Sequence, residues 1–212
     1  MNYEVIDIEN WHRKEQYEFF VQFDEPFTGV VVEVNVSRIY VDAKRNGLSF
    51  FQLYLHRCLQ AVNQTNAFRL RVVNQEVRLY QEVHVSAVIL RTDQSFGFSF
   101  IPYSEDFHTF STHVDAEKAR ISLDRRLFPP ENPANVIHFS AMPWIKFTGL
   151  SHARKYNSGD SCPKISVGKV YEIHGEKWMP VSVHVHHALA DGKDIGEFLE
   201  HYQNLLNEGL KD

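Results

Sequence analysis

Two cysteines, Cys58 and Cys162, are all that 212 residues contain. A disulfide framework needs more of them, and a cysteine zinc site needs a close pairing that these two lack. No stretch approaches the roughly 18 consecutive apolar residues of a membrane span. The opening segment, Met1 to Glu9, is acidic and broken by polar residues, without the basic start and apolar core of a secretory signal. Positive charge is also scarce. Lysine and arginine number 22 against 27 acidic residues, a formal net charge of −5. A dedicated nucleic-acid binder is thereby disfavoured, because phosphate recognition needs a concentrated basic surface. The ten glycines form neither a P-loop nor a dinucleotide-binding fingerprint, and no G-x-S-x-G nucleophile elbow occurs. The expectation is a cytoplasmic protein with reduced thiols, one domain over 1–212, with the 43% hydrophobic content of an ordinary globular chain.

The hydrophobic pattern then sets the elements. Asn10 to Phe20 mixes helix-forming charges with aromatics and reads as a short opening helix. Thr28 to Val36 is β-branched and reads as a strand. From Ser49 to Val62, Phe51, Leu55, Cys58, Leu59 and Val62 recur at three- and four-residue intervals, the stripe of an amphipathic helix. Strand patterns follow at Phe68–Val73, Val77–Tyr80, Val83–Leu90 and Phe96–Tyr103, with Asn74-Gln75 as a hairpin connection. Asp106 to Leu123 reads as a helix, and the prolines of Phe128–Pro133 break the chain. Further strands are expected at Asn135–Ala141, Lys164–Ile173 and Lys177–His187, with His174-Gly175-Glu176 as the turn between the last two. A helix from Gly196 to Leu206 would bury Phe198, Leu199, Tyr202 and Leu206. Strands and helices are interspersed without strict alternation, so the predicted fold is α+β: a two-layer sandwich with a mixed β-sheet and packed helices.

Chemistry concentrates in Val181–Gly192. On a strand, alternate side chains share a face, so Val181, Val183, Val185 and His187 point one way and Ser182, His184 and His186 the other. A histidine ending an apolar row, beside the Asp191-Gly192 turn, is held rigid and partly shielded from water, a position suited to general-base work. Two other readings of these residues stand beside that one. A histidine pair in a chain of 12 histidines can serve only hydrogen bonding, and His184 with His186 could be two ligands of one metal, although no third ligand or spacing motif accompanies them. No metal is expected.

His186-His187-Ala188-Leu189-Ala190-Asp191-Gly192 resembles the HHxxxDG signature of the chloramphenicol acetyltransferase family, variants of which occur in dihydrolipoyl acyltransferases and peptide-synthetase condensation domains. Met1-Asn2-Tyr3 and Asn10-Trp11-His12-Arg13-Lys14-Glu15 are similar to that family's N-terminal pattern. Phe139-Ser140-Ala141-Met142-Pro143-Trp144 resembles its serine-bearing strand, and Pro102-Tyr103-Ser104 and Leu127-Phe128-Pro129 fall in order between them. The resemblance runs over nearly the whole chain. It implies acetyl transfer from acetyl-CoA, as co-substrate, to a small-molecule hydroxyl acceptor, through a ternary complex and without an acyl-enzyme. By that resemblance His187 is the base, its tautomer held by its own carbonyl. Ser140 steadies the oxyanion, and Asp191 pairs with Arg13 to hold the site. Ser166 matches a threonine supporting the oxyanion through water, and Lys169 a lysine near the coenzyme A phosphate. Phe19, Phe20, Phe98, Phe128 and His138 would line the acceptor pocket. A homotrimer with active sites at subunit interfaces is implied, with neither nucleic acid nor membrane as partner. The pattern departs at the pocket. Phe23-Asp24-Glu25-Pro26-Phe27 replaces an apolar, cysteine-containing stretch, His138 stands for an asparagine, and His152 and Arg154 occupy commonly apolar places. Lys193-Asp194 follow the Asp-Gly where Phe-His is common. A thiol or a different alcohol as acceptor, and a catalytically silent ligand-binding relative, are the competing readings. The absence of a lipoyl domain argues against a dehydrogenase-complex subunit.

Overall fold

The computed structural model describes residues 2–155 and 159–209. β1 (Tyr3–Val5) leads through a short 3-10 turn (Ile8–Asn10) to α1 (Lys14–Phe20). β2 (Phe27–Asn35) is followed by α2 (Ser37–Arg45) and α3 (Phe50–Gln64). A second 3-10 turn (Asn66–Arg69) precedes β3 (Leu70–Val73), β4 (Glu76–Tyr80), β5 (His84–Leu90) and β6 (Phe96–Phe98). α4 (Phe107–Leu123), β7 (Val136–Ala141), β8 (Lys164–Val167), β9 (Tyr171–Ile173), β10 (Glu176–His186) and α5 (Gly192–Glu208) complete the order.

The main sheet runs β2-β10-β8-β7-β5-β6, with β9 paired to β10. β5, β7 and β8 are parallel, whereas β10 is antiparallel to β2, β8 and β9, and β6 to β5. This is the expected α+β architecture with a mixed sheet. A smaller sheet, β1-β4-β3, is antiparallel throughout. The β3–β4 hairpin turns on Asn74 and Gln75, both with positive φ (51° and 68°). Those are the dihedrals of a type I′ turn, reached here without the usual glycine because they match the strands' twist.

Alternation decides what each face of the main sheet meets. Ile137, Phe139, Ile165, Val167, Val181, Val183 and Val185 join Leu55, Leu59 and Val62 of α3 and Phe198 and Tyr202 of α5 in one buried core. The other face carries polar rows that cross the strands in register. Ser140 of β7 lies beside Ser166 of β8, which lies beside Ser182 of β10. One pleat repeat away, His138 lies beside Lys164, which lies beside His184. Gly29 of β2 completes that second row, and a Cβ there would run into the His184 ring.

Several expectations needed correction. Ser37–Arg45 is a helix that the sequence reading left unassigned, packed by its buried Ile39, Asp42 and Ala43. The strand expected over Lys164–Ile173 is two strands, broken at Gly168, where a side chain would strike Pro180 and Phe147. Phe68 belongs to a 3-10 turn rather than a strand, and β6 stops at Phe98, with only an isolated bridge at Ile101. The opening helix begins at Lys14 and the last helix at Gly192, four residues before the expected start.

Candidate active site: a capped histidine and a serine-lined cavity

β10 ends at His186, and the chain turns at once: the N–H groups of Leu189 and Ala190 donate to the His186 carbonyl at 2.9 and 3.1 Å. The His187 N–H donates to the Pro26 carbonyl at 2.8 Å, which ties the turn to the start of β2. Within it, His187 Nδ1 lies 3.2 Å from the Ala190 carbonyl oxygen. A carbonyl only accepts, so this contact places the proton on Nδ1 and leaves a lone pair on Nε2. The anchor is the Ala190 carbonyl, not the histidine's own, a correction to the tautomer control inferred from the family. Phe20 stacks on the ring, centroids 4.0 Å apart and planes 17° from parallel.

Asp191 does not close a turn as expected. It is the N-cap of α5, accepting from the Lys193 N–H at 2.9 Å, while its own N–H donates to the Asp194 carboxylate at 2.8 Å. This reciprocal capping satisfies donors at the helix start. Its other oxygen accepts from Arg13 Nη1 at 2.7 Å, and Arg13 Nη2 reaches the His187 carbonyl at 3.5 Å. Arg13 and Asp191 thus brace the backbone around the imidazole and do not touch its ring. Arg13's hydrogen bond, with the backbone N–H of Lys193, holds the Asp191 carboxyl below its usual range.

A pH prediction follows. A carboxyl depressed in the folded state adds stability that is present above its unfolded value, near pH 3.9, and lost as pH falls through the folded value. Asp191→Asn keeps a good cap but removes the charge. Because the Asp191 side chain is 39% exposed, solvent screening brings the expected loss to about 1 kcal/mol rather than the 3–5 of a fully buried pair. Thermal unfolding should show the variant about 2–4 °C below wild type at pH 7. The gap should close as pH drops below about 4; a gap independent of pH would sever the stability effect from the ion pair.

Ser140 lies elsewhere, near the end of β7, in a cavity of about 480 Å³ that it shares with Ser166, His138, Phe98 and Phe128. Three of the five expected acceptor-pocket residues are therefore together. The other two, Phe19 and Phe20, form an aromatic cluster with Phe23 beside His187. Lys169 opens onto a neighbouring cavity of about 460 Å³, with Tyr40, Phe50, Tyr54 and Ala141, the residue after Ser140. Ser166 and Lys169, both expected on the coenzyme side, therefore face different cavities.

The register gives the distance between the two halves. Ser140 is aligned through Ser166 with Ser182. From there His187 is five residues along the strand, about 16 Å, and two strands across, about 10 Å. The two residues of one chain are thus about 19 Å apart.

Sequence reasoning left out of the site Phe96 and Lys164, which line the Ser140 cavity together with His152, one of the departures from the family pattern at the pocket. Lys164 is 5% exposed, its Nζ paired with the Asp160 carboxylate and bonded to the Cys162 carbonyl. Only their cross-strand neighbours bring Lys164 to the cavity, and no local pattern signals that. His152 packs edge-on against His184 at 4.9 Å. Burial first, then the charges of His184 and Lys164, pushes its pKa down to about 4. His184 and His186 are engaged with Ser182 Oγ and with the Ala188 N–H. Among the described residues, no three His, Cys, Asp or Glu side chains stand together as a metal site.

A mixed sheet with one apolar and one polar face, a histidine with its Nδ1 anchored on a carbonyl, and a serine-lined cavity are the fold and site of an acyltransferase. The model of the family described as chloramphenicol acetyltransferase matches residues 1–203. The chloramphenicol acetyltransferase of Proteus mirabilis is 26% identical over 208 residues, 98% of this chain and 96% of that protein. Chloramphenicol acetyltransferase 3 of Escherichia coli is 27% identical, with both chains covered in full. A solved chloramphenicol acetyltransferase superposes with a TM-score of 0.86 at 28% identity, over 97% of this chain and all of the other. A probable dihydrolipoamide acetyltransferase from Listeria monocytogenes shares the fold at TM-score 0.66 and 12% identity, covering 93% of this chain and 91% of its own. The chain belongs to the chloramphenicol acetyltransferase family. No helix among the described residues is long and apolar enough to cross a membrane.

Proposed function

We propose that the chain transfers an acetyl group from acetyl-CoA to a hydroxyl of chloramphenicol or a chloramphenicol-like acceptor, at a site assembled from two copies. The geometry of His187 carries the reading: a base needs a fixed ring with one nitrogen free to accept a proton, and the Ala190 carbonyl provides this. Nε2 takes the proton of the acceptor hydroxyl as its oxygen attacks the thioester carbon. The Ser140 hydroxyl donates to the oxyanion that forms, and the departing sulfur receives the proton from Nε2. No bond to the protein forms at any stage. The cavity around Lys169 and Tyr54, adjoining Ser140 through Ala141, is the place assigned to the coenzyme. Names of the relatives support chloramphenicol as acceptor.

At about 19 Å, His187 and Ser140 of one chain cannot act on one carbon, since reacting groups must stand within about 3–3.5 Å. The two-copy site answers this separation: His187 of one copy meets Ser140 of the next, in a closed ring of the kind a homotrimer forms. Exposed Phe19 and Phe23 beside His187 support a covered surface there. Mixing variants tests both claims. His187→Ala and Ser140→Ala, each expected to keep about a hundredth of wild-type activity or less, are unfolded together in equal amounts, refolded, and assayed with acetyl-CoA, chloramphenicol and a thiol reagent. About a quarter of the sites should then combine an intact histidine with an intact serine, by random pairing in a cyclic assembly. Thiol release recovering to that fraction supports the two-copy site, and silence of the mixture beside an active wild type sinks it.

A further inference from the structure

Toward the opposite end of β5 and β7, where both strands begin, lies a separate cavity of about 710 Å³. His84, the first residue of β5, is aligned with Val136, four residues before Ser140 and about 13 Å from it along the strand. Among the described residues, Asn132 alone lines both this cavity and that of Ser140. The space is the size of a small-molecule site, and the proposed acetyl transfer makes no use of it.

Its lining is selective. Glu82 and Glu131 are exposed at the rim, and among the described residues neither is paired with a lysine or arginine. Asn135 is only 5% exposed. Its Nδ2 donates to the Glu82 carbonyl at 3.0 Å, which fixes the amide, and its Oδ1 is buried without a hydrogen-bond partner. A buried acceptor left unpaired is costly, and such groups are almost always satisfied. Because Asn135 lines the cavity, a ligand there can supply the missing donor.

His84 contributes the opposite polarity. Its Nδ1 accepts from the Tyr103 N–H at 3.1 Å, so the ring's proton sits on Nε2. Burial, then the charge of His113, lowers the His84 pKa, so near neutral pH the ring is uncharged and offers one N–H. Phe100 meets this ring edge-on, centroids 5.4 Å apart, and adds an apolar wall. The two carboxylates repel an anion, and a bare metal ion would meet the Nε2 proton instead of a lone pair. A plain alkylammonium leaves His84 without an acceptor. An ammonium beside a hydroxyl satisfies all of them: its N–H bonds go to the carboxylates and Asn135 Oδ1, and its hydroxyl oxygen accepts from His84.

We propose that this cavity binds an organic cation in which ammonium and hydroxyl groups are neighbours, the pattern of an aminocyclitol or amino sugar. The site is separate from the acetyl-transfer centre and goes beyond that reading.

Calorimetric titration of the full chain tests it with three probes. 2-Deoxystreptamine carries ammonium and hydroxyl groups on one ring, cis-1,3-diaminocyclohexane lacks the hydroxyls, and myo-inositol lacks the amines. The aminocyclitol should bind about tenfold more tightly than the diamine, the discrimination of one neutral hydrogen bond. Inositol should show no binding at the same concentrations. The Glu82→Gln, Glu131→Gln double variant should weaken aminocyclitol binding by about tenfold, as expected for two exposed ion pairs. Its acetyl transfer to chloramphenicol should be unchanged. Glu82→Asp with Glu131→Asp, which keeps both charges, should retain most of the affinity. Absence of aminocyclitol binding at millimolar concentration, equal affinity for the diamine, or an affinity untouched in the glutamine variant overturns the proposal. Thiol release from acetyl-CoA driven by the aminocyclitol and lost in Ser140→Ala would make it an acceptor, and would also overturn a separate site.

Discussion

Replacing His187 by alanine is expected to lower kcat for acetyl transfer by about 10²–10⁴-fold, the range that a positioned general base contributes. The apparent affinity for acetyl-CoA should change little, because the role proposed for the imidazole is to take the acceptor's proton, while the coenzyme is assigned to the cavity around Lys169 and Tyr54. The loss belongs to the chemical step. Without an imidazole, the hydroxyl must give its proton to water as it attacks, and no other group replaces the lone pair on Nε2. Asp191 cannot substitute, since its carboxylate is committed to Arg13 and to the cap of α5. Release of free coenzyme A thiol in the presence of chloramphenicol measures the effect, beside a far-ultraviolet circular dichroism spectrum to confirm folding. A variant keeping more than about a tenth of wild-type kcat would move the base to another residue.

Ser140→Ala should cost about 10²–10³-fold in kcat, the effect of one oxyanion donor. The physical reason differs from that for His187. Charge develops on the carbonyl oxygen only as the tetrahedral species forms, so the hydroxyl's hydrogen bond strengthens toward the transition state and is weak in the ground state. KM for the acceptor should therefore hold while kcat falls. With both residues assigned to one step in the proposed reaction, the double variant should be less impaired than the product of the two single losses. A Ser140→Ala enzyme with raised KM and unchanged kcat would recast the serine as a binding residue. Fold stability should be spared, since Ser140 lies half-buried on a cavity wall and removal of its hydroxyl opens no hole in the core.

Much of the architecture could be read from periodicity. The α3 stripe, the α4 segment started by Asp106, and the alternation of β10 are strong local signals, and each corresponds to an element with those residues buried. The misses share a cause. Ser37–Arg45 is amphipathic, with Ile39 and Ala43 on one side, but its high average polarity hides that face from a search for apolar runs, and its packing onto α3, α5 and β10 brings it out. The apolar run from Ile165 to Ile173 looks continuous in sequence, yet close approach of Ile145, Phe147 and Pro180 at Gly168 divides it. Asp191-Gly192 has the composition of a turn, and its capping role needs the Asp194 side chain folded back onto the Asp191 N–H.

The candidate site divides in the same way. By itself, the sequence determined the acyltransferase family and the mixed α+β fold and singled out candidate groups for the chemistry, because signature spacing and strand alternation are local properties of the chain. The tertiary structure alone decided where those groups stand. Cross-strand register puts Ser140, Ser166 and Ser182 in one row and His138, Lys164 and His184 in the next, joining residues up to 46 positions apart. The same register sets His187 about 19 Å from Ser140, a separation no motif encodes. It arises because hydrogen bonding between strands, and not sequence distance, determines which side chains share a surface.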